Sequence, residues 1–233
     1  MRETMAAYLP LPTVLKKIQN AVARKKPFSL VRVGDGENIV LAQNTVWTIK
    51  RVLREPWAKR GNKGVTLPNV KLRDDIVRSI RKASVVGILP RNDRMIRAPR
   101  YLKRTLTDQV FRYHGLKPSL TCNACVNRMM PHHPLFRNLV KGKRILIINR
   151  DPKAIKAALE KSPYKAKVTA MITFTHYRQI PATLRKAAKL KHAFDIALIS
   201  CGVNAVIMAP RVAELTGKVA IDFGKAPKMM KRK

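Results

Sequence analysis

The chain is poor in acids. Thirteen Asp and Glu stand against 49 Lys and Arg among 233 residues, a net charge of +36. Aromatics are also scarce, at 6%, which leaves little material for stacking nucleobases. There is no helix-turn-helix, zinc-finger or RNA-recognition signature, and no arginine-rich arm. The charge therefore reads as a surface property first, attracting polyanions nonspecifically, and as a recognition code second. No apolar run approaches the ~18 residues needed to span a bilayer. Met1 to Leu15 lacks the basic, apolar and small-residue segments of a signal peptide, so the expected location is the cytoplasm. Three cysteines, Cys122, Cys125 and Cys201, fit a reducing compartment. Cys122-Asn-Ala-Cys125 has no second pair to complete a zinc site, although His132 and His133 lie nearby. A redox role needs the pair just after a strand at a helix start, which the local pattern does not suggest. Buried thiols are the expected state.

Repeats, low-complexity linkers and breaks in composition are also missing. With 46% hydrophobic residues, the chain has enough apolar material for one large core, and a single domain over 1–233 is expected. Apolar spacing predicts helices at 13–25, 38–43, 69–83 (capped by Asn69), 102–113, 152–161, 180–190 and 204–216. Short β-rich runs predict strands at 28–33, 85–89, 144–149, 168–173, 194–200 and 218–223. Residues 51–64, basic and containing Pro56, read as an exposed loop. A basic tail occupies 225–233, and 1–27 holds the first helix. Alternating strands and helices call for an α/β, Rossmann-like fold, mostly parallel with helices on both faces. Ligands in such folds sit beyond the carboxyl ends of the strands.

Gly34-Asp35-Gly36-Glu37 follows the first of those strands. Two carboxylates one residue apart can share a hard divalent cation, Mg²⁺ or Mn²⁺, and the glycines allow a tight backbone and close ligand approach. An ordinary Asp-Gly turn is the plain alternative. At Ser200-Cys201-Gly202-Val203-Asn204 a strand gives way to a helix start, whose free N–H groups suit phosphate. Asn92-Asp93-Arg94 offers a base or sugar ligand in Asp93 and a phosphate partner in Arg94. Arg32 and Arg150, at other strand ends, are further phosphate partners. His176 follows another strand and is a candidate general base, although a lone histidine there is more often structural.

The segment Phe28-Ser-Leu-Val-Arg-Val-Gly-Asp-Gly-Glu37 resembles the strand and turn of GT-D type glycosyltransferases, with their Asp-x-Glu motif after the first strand. Asp195-Ile-Ala-Leu-Ile-Ser-Cys-Gly202 and Gly217-Lys-Val-Ala-Ile-Asp-Phe-Gly224 are similar to that family's closing strand–helix–strand. Asn92-Asp-Arg94 and Leu106-Thr-Asp-Gln-Val110 look like variants in the GT-D domains of Gram-positive bacteria. The resemblance implies a nucleotide-sugar donor, UDP-sugar by preference, with Mn²⁺ or Mg²⁺ held at Asp35 and Glu37. The acceptor would be a glycan, a glycoprotein or another molecule. Two departures stand out: Lys225 follows Gly224 where the family often has histidine, and the basic load is unusual. A catalytically idle binding module and a charge-driven nucleic-acid binder are the rival readings.

Overall fold

The computed structural model describes residues 7–59 and 64–230. In chain order the elements are β1 (Ala7–Leu9), α1 (Leu11–Ala23), β2 (Phe28–Val33), α2 (Asp35–Ala42), α3 (Ile49–Arg54), α4 (Pro56–Lys59), α5 (Val70–Lys82), β3 (Val85–Ile88), α6 (Arg104–Tyr113) and β4 (Leu120–Asn123). There follow α7 (Val126–Met129), α8 (Pro134–Val140), β5 (Arg144–Asn149), α9 (Pro152–Leu159), β6 (Lys167–Thr173), α10 (Ile180–Lys189), β7 (Ile196–Ser200), α11 (Asn204–Thr216), β8 (Val219–Asp222) and α12 (Ala226–Met230). The strands form one eight-stranded sheet, β1-β4-β3-β2-β8-β7-β5-β6, in which every pairing is parallel. The fold is α/β and Rossmann-like, as the alternating pattern predicts.

Residues of opposite parity along the strands feed two cores. Val31, Val33, Leu146, Ile148 and Ile199 pack with α2, α5, α6, α10 and α11 on one face. Leu30, Ile145, Ile147, Leu198 and Ile221 pack with α1, α8 and α9 on the other. The continuous apolar run of β5 follows from this covering of both faces. On the second face Phe136 stacks on Phe223 with centroids 5.6 Å apart, and burying each ring is worth about 1.5–3 kcal/mol. Helix α11 is buried nearly all round, the state expected of a helix apolar on every side.

Several expectations need adjusting. Most of the expected loop's residues 51–59 lie in α3, which starts at Ile49, and in α4. Thr48 caps α3 by accepting a hydrogen bond from the Arg51 N–H, a capping signal that the Lys and Arg content obscures. Residues 60–63 of that loop lie outside the described residues. Asn69 caps α5 as expected, accepting from the Leu72 N–H at 2.8 Å. Strands β1 and β4 are too short to stand out as apolar runs. Residues 1–6 of the N-terminal segment and 231–233 of the basic tail are outside the described residues; 226–230 of the tail are helical.

From β2 the chain steps outward through β3 to β4. It then crosses to the other half, laying down β5, β6, β7 and finally β8 against β2. Strand β8 is inserted between β2 and β7, and the crossovers leaving β2 and entering β8 step the same way, with α5 and α11 on one face. Ligands in α/β folds bind beyond the carboxyl ends of the strands, where Asp35 follows β2 and Asp222 ends β8.

Candidate functional site at the β2–β8 seam

The acidic motif is a helix start rather than a free turn, because α2 begins at Asp35, three residues earlier than expected. Gly34 sits in extended conformation as its cap. The Gly34 N–H donates to Glu37 Oε2 at 2.9 Å. This is the reciprocal arm of a capping box, with glutamate three residues past the cap. Both acids occupy the first turn, where the helix dipole favours negative charge. Gly36 is required by contact: a Cβ there would lie 2.8 Å from the Trp57 ring. The α4 indole therefore lies directly against the motif.

Arg32, near the end of β2, reaches across the seam. Its Nη2 donates to Asp222 Oδ1 at 2.9 Å, its Nε to the Asp222 carbonyl at 3.2 Å, and its Nη1 to the Ala124 carbonyl at 3.4 Å. Two glycines clear space for the guanidinium. A Cβ on Gly224, at φ +44°, would fall 2.2 Å from Arg32 Nη2, and one on Gly87 would fall 3.2 Å from Arg32 Cγ. Asp222 is 1% exposed, and its Oδ2 is buried without a hydrogen-bond partner.

Negative charge is in excess here. Burial pushes the Glu37 carboxyl up to about 7; Arg32 and the Gly34 N–H pull it down, while Asp222 and Asp35 push it further up. Burial raises Asp222 as well, against the pull of Arg32. Burial works against the charge on Arg32, but Asp222 and Glu37 outweigh it and hold the guanidinium protonated. Glu37 and Asp222 thus share the Arg32 guanidinium, and Asp35 adds its charge beside Glu37, in a chain whose net charge is +36.

A divalent cation is what the fold family implies here, and the residues fit one. Among the described residues no three His, Cys, Asp or Glu side chains form a ready-made cage. Mg²⁺ and Mn²⁺ need no such cage beside a nucleotide: one or two carboxylates suffice, with phosphate oxygens and water completing the shell. The unpartnered Asp222 oxygen and the raised Glu37 carboxyl are the marks of a site short of positive charge.

The other candidates fall into two groups away from this pair. Asp93 and Arg94 line a cleft of about 440 Å³ at the end of β3. Asp93 is taken up by its own loop: it accepts from Met95 and Ile96 N–H at 3.1 Å and from Lys103 Nζ at 2.9 Å. Burial works to raise its pKa, but the Lys103 and backbone hydrogen bonds outweigh it and leave it lowered, a poor proton acceptor. Arg150 and Gly202 line a hollow of about 180 Å³ with Gly64, Thr175 and Ser200. Asn204 borders that hollow through Nδ2, which donates to the Gly64 carbonyl at 3.1 Å; its Oδ1 is buried and unpartnered. The start of α11 has no side-chain cap. His176 accepts from the Arg178 N–H at 3.3 Å, capping a short 3₁₀ turn.

The Cys122–Cys125 pair is placed differently from expectation. Cys122 lies in β4 and Cys125 leads into α7, so the pair spans a strand end and a helix start. Both thiols are buried, and burial pushes Cys122 to about 12 and Cys125 to about 11. They are packing residues, and His133 caps α8 instead of joining them. The sequence reading did not assign Asp222 or Trp57. A lone acid inside the apolar strand Val219–Asp222 was the available signal, since acids are almost never buried unless partnered.

An all-parallel eight-stranded sheet covered by helices on both faces defines a Rossmann-like α/β domain. Residues 9–230 match the GT-D fold-like domain, and the chain belongs to that family. Three solved structures share the fold. One is described as "The highly conserved domain of unknown function 1792 has a distinct glycosyltransferase fold"; it is 18% identical, covers 96% of this chain and 79% of its own, and has a TM-score of 0.60. A second, a selenomethionine structure of the same domain type, is 17% identical with the same coverage and a TM-score of 0.61. The third, described as a new glycosyltransferase from Streptococcus sanguinis, is 13% identical, covers 95% and 82%, and has a TM-score of 0.62. No curated protein matches the sequence significantly.

Proposed function

We propose that the chain is a glycosyltransferase that takes a sugar from a nucleotide-sugar donor, a UDP-sugar by preference, with Mn²⁺ or Mg²⁺ held by Asp35 and Glu37. Family membership supports the class of activity. The observation that carries the site is the Arg32–Asp222 ion pair at the β2–β8 seam with the buried Glu37 carboxyl beside it and Asp35 next to Glu37. When bound, the cation would neutralise charge building on the departing diphosphate. Arg32 ties the seam together and holds Asp222 in place. The Gly34 N–H fixes the Glu37 carboxyl, and Trp57 over Gly36 closes one side of the motif. The uncapped start of α11 with Arg150 offers a second phosphate or sugar contact. The acceptor is a glycan, a glycoprotein or another hydroxyl-bearing molecule. No helix among the described residues is long and apolar enough to cross a membrane, and we place the activity in the cytoplasm.

The test is calorimetry of UDP with Mn²⁺, alongside UDP-glucose hydrolysis, on the wild type and on Asp35→Asn with Glu37→Gln. Metal-dependent UDP binding lost in the double variant supports the assignment. Equal binding and turnover in both proteins would end it. A wild type that folds but binds no UDP would mark the domain as a binding module.

A further inference from the structure

Five cationic side chains, Arg91, Arg94, Arg100, Lys103 and Arg104, line the 440 Å³ cleft beside the seam. Asp93 pairs with Lys103 at 2.9 Å, and Asp108 pairs with Arg91 at 2.8 Å and Arg104 at 2.7 Å. Two carboxylates against five cations leave a surplus of three positive charges. Arg94 and Arg100 are exposed, and their side chains make no hydrogen bond or ion pair among the described residues. Thr105 and Asn92 add neutral donors to the wall. The first turn of α6 also opens here, with no side-chain cap on its N–H groups.

The cleft is tied to the acidic motif twice. Asn38, next to Glu37 on α2, donates through Nδ2 to the Leu102 and Lys103 carbonyls at 2.9 and 3.0 Å and to Thr107 Oγ1 at 2.9 Å. This fixes the start of α6 against α2. On the other side Cys125 Sγ contacts Asp93 Oδ1 at 3.5 Å, and the preceding carbonyl, of Ala124, receives Arg32 Nη1. A ligand seated in the cleft is therefore held at a fixed place relative to Glu37.

We propose that this cleft is the acceptor subsite, and that the acceptor carries closely spaced phosphates which Arg94 and Arg100 grip. The inference rests on the glycosyltransferase reading for the word acceptor. The anion site itself stands on the cleft alone. Paired, planar guanidinium donors suit phosphate oxygens, and both side chains are uncommitted. The donor diphosphate is assigned instead to the carboxylate-bound cation, because the cleft carries no surplus acid to hold a metal.

The probe is inorganic tripolyphosphate without divalent metal, titrated by calorimetry near physiological salt. The proteins are the wild type, Arg94→Gln with Arg100→Gln, and a control, Lys186→Gln with Lys189→Gln on α10, which removes the same charge toward the opposite edge of the sheet. Tripolyphosphate affinity falls at least about tenfold in the cleft variant and less than about twofold in the control. UDP affinity with Mn²⁺ stays within about twofold in both. An unchanged cleft variant, or a control that loses as much, overturns the site and reduces it to the general field of the protein. A parallel loss of UDP and Mn²⁺ binding in the cleft variant overturns the acceptor assignment and makes the cleft the seat of the donor. If the wild type binds no UDP while the cleft variant alone loses tripolyphosphate, the transferase reading has failed and the anion site stands.

Discussion

Glu37→Gln separates the charge of the site from its shape. Glutamine keeps the volume and can still accept from the Gly34 N–H, so the helix start is preserved. What it removes is a carboxyl that the fold holds near 7 instead of its ordinary 4.5. The unfolded chain ionises Glu37 first as pH rises. The wild type therefore loses stability between about pH 4.5 and about pH 7, and the loss is constant above that. At about 1.4 kcal/mol per pH unit the gap is worth about 3 kcal/mol, which screening at a half-buried group trims to about 2. Urea unfolding should find the variant more stable than the wild type by about 2 kcal/mol at about pH 8.5, and by less than about 1 kcal/mol at about pH 5. Adding Mn²⁺ at the higher pH should stabilise the wild type and leave the variant nearly unmoved, since a ligand stabilises only the state that binds it. A difference independent of pH, or a wild type more stable at high pH without metal, would show that Glu37 is not the strained carboxyl described.

Two smaller tests address the packing. Gly36→Ala sets a methyl against the Trp57 ring and should cost about 1–3 kcal/mol, seen as a lower thermal midpoint together with a changed tryptophan emission; an unchanged midpoint would show that Trp57 does not lean on the motif. Cys122, Cys125 and Cys201 are buried and their thiols are held well above the ordinary range, so Ellman's reagent at about pH 8 should label none in the native protein and all three in urea; fast labelling of the native protein would refute their burial.

The fold was legible because its signals are local. Three of the elements, at 28–33, 144–149 and 204–216, have the bounds that periodicity predicts, and Asn69 announces its helix by the side-chain bond it makes. The short strands β1 and β4 were illegible because three or four residues carry no period, and they become strands only through pairing with neighbours. The acidic motif was found by its composition, but its form was not: Gly34-x-x-Glu37 is a capping-box pattern, and reading it would have started α2 at Asp35. The sequence could not show that Arg32 meets Asp222, because nothing local links residues 190 positions apart. Nor could it show that Asp93, which looks like a free acid on a turn, is held by Lys103 and two backbone N–H groups.

The order in which the strands are made has a consequence for biosynthesis. The last of the eight strands in chain order, β8, is inserted between β7, which directly precedes it, and β2, which was made far earlier. Until it arrives the sheet is two separate blades with open inner edges, and Arg32 has no counter-ion from across the gap. A nascent chain stalled before Asp222 would expose both edges to aggregation. Closure of the molecule and assembly of its charged centre are thus a single late event, and a protein released early would lack both.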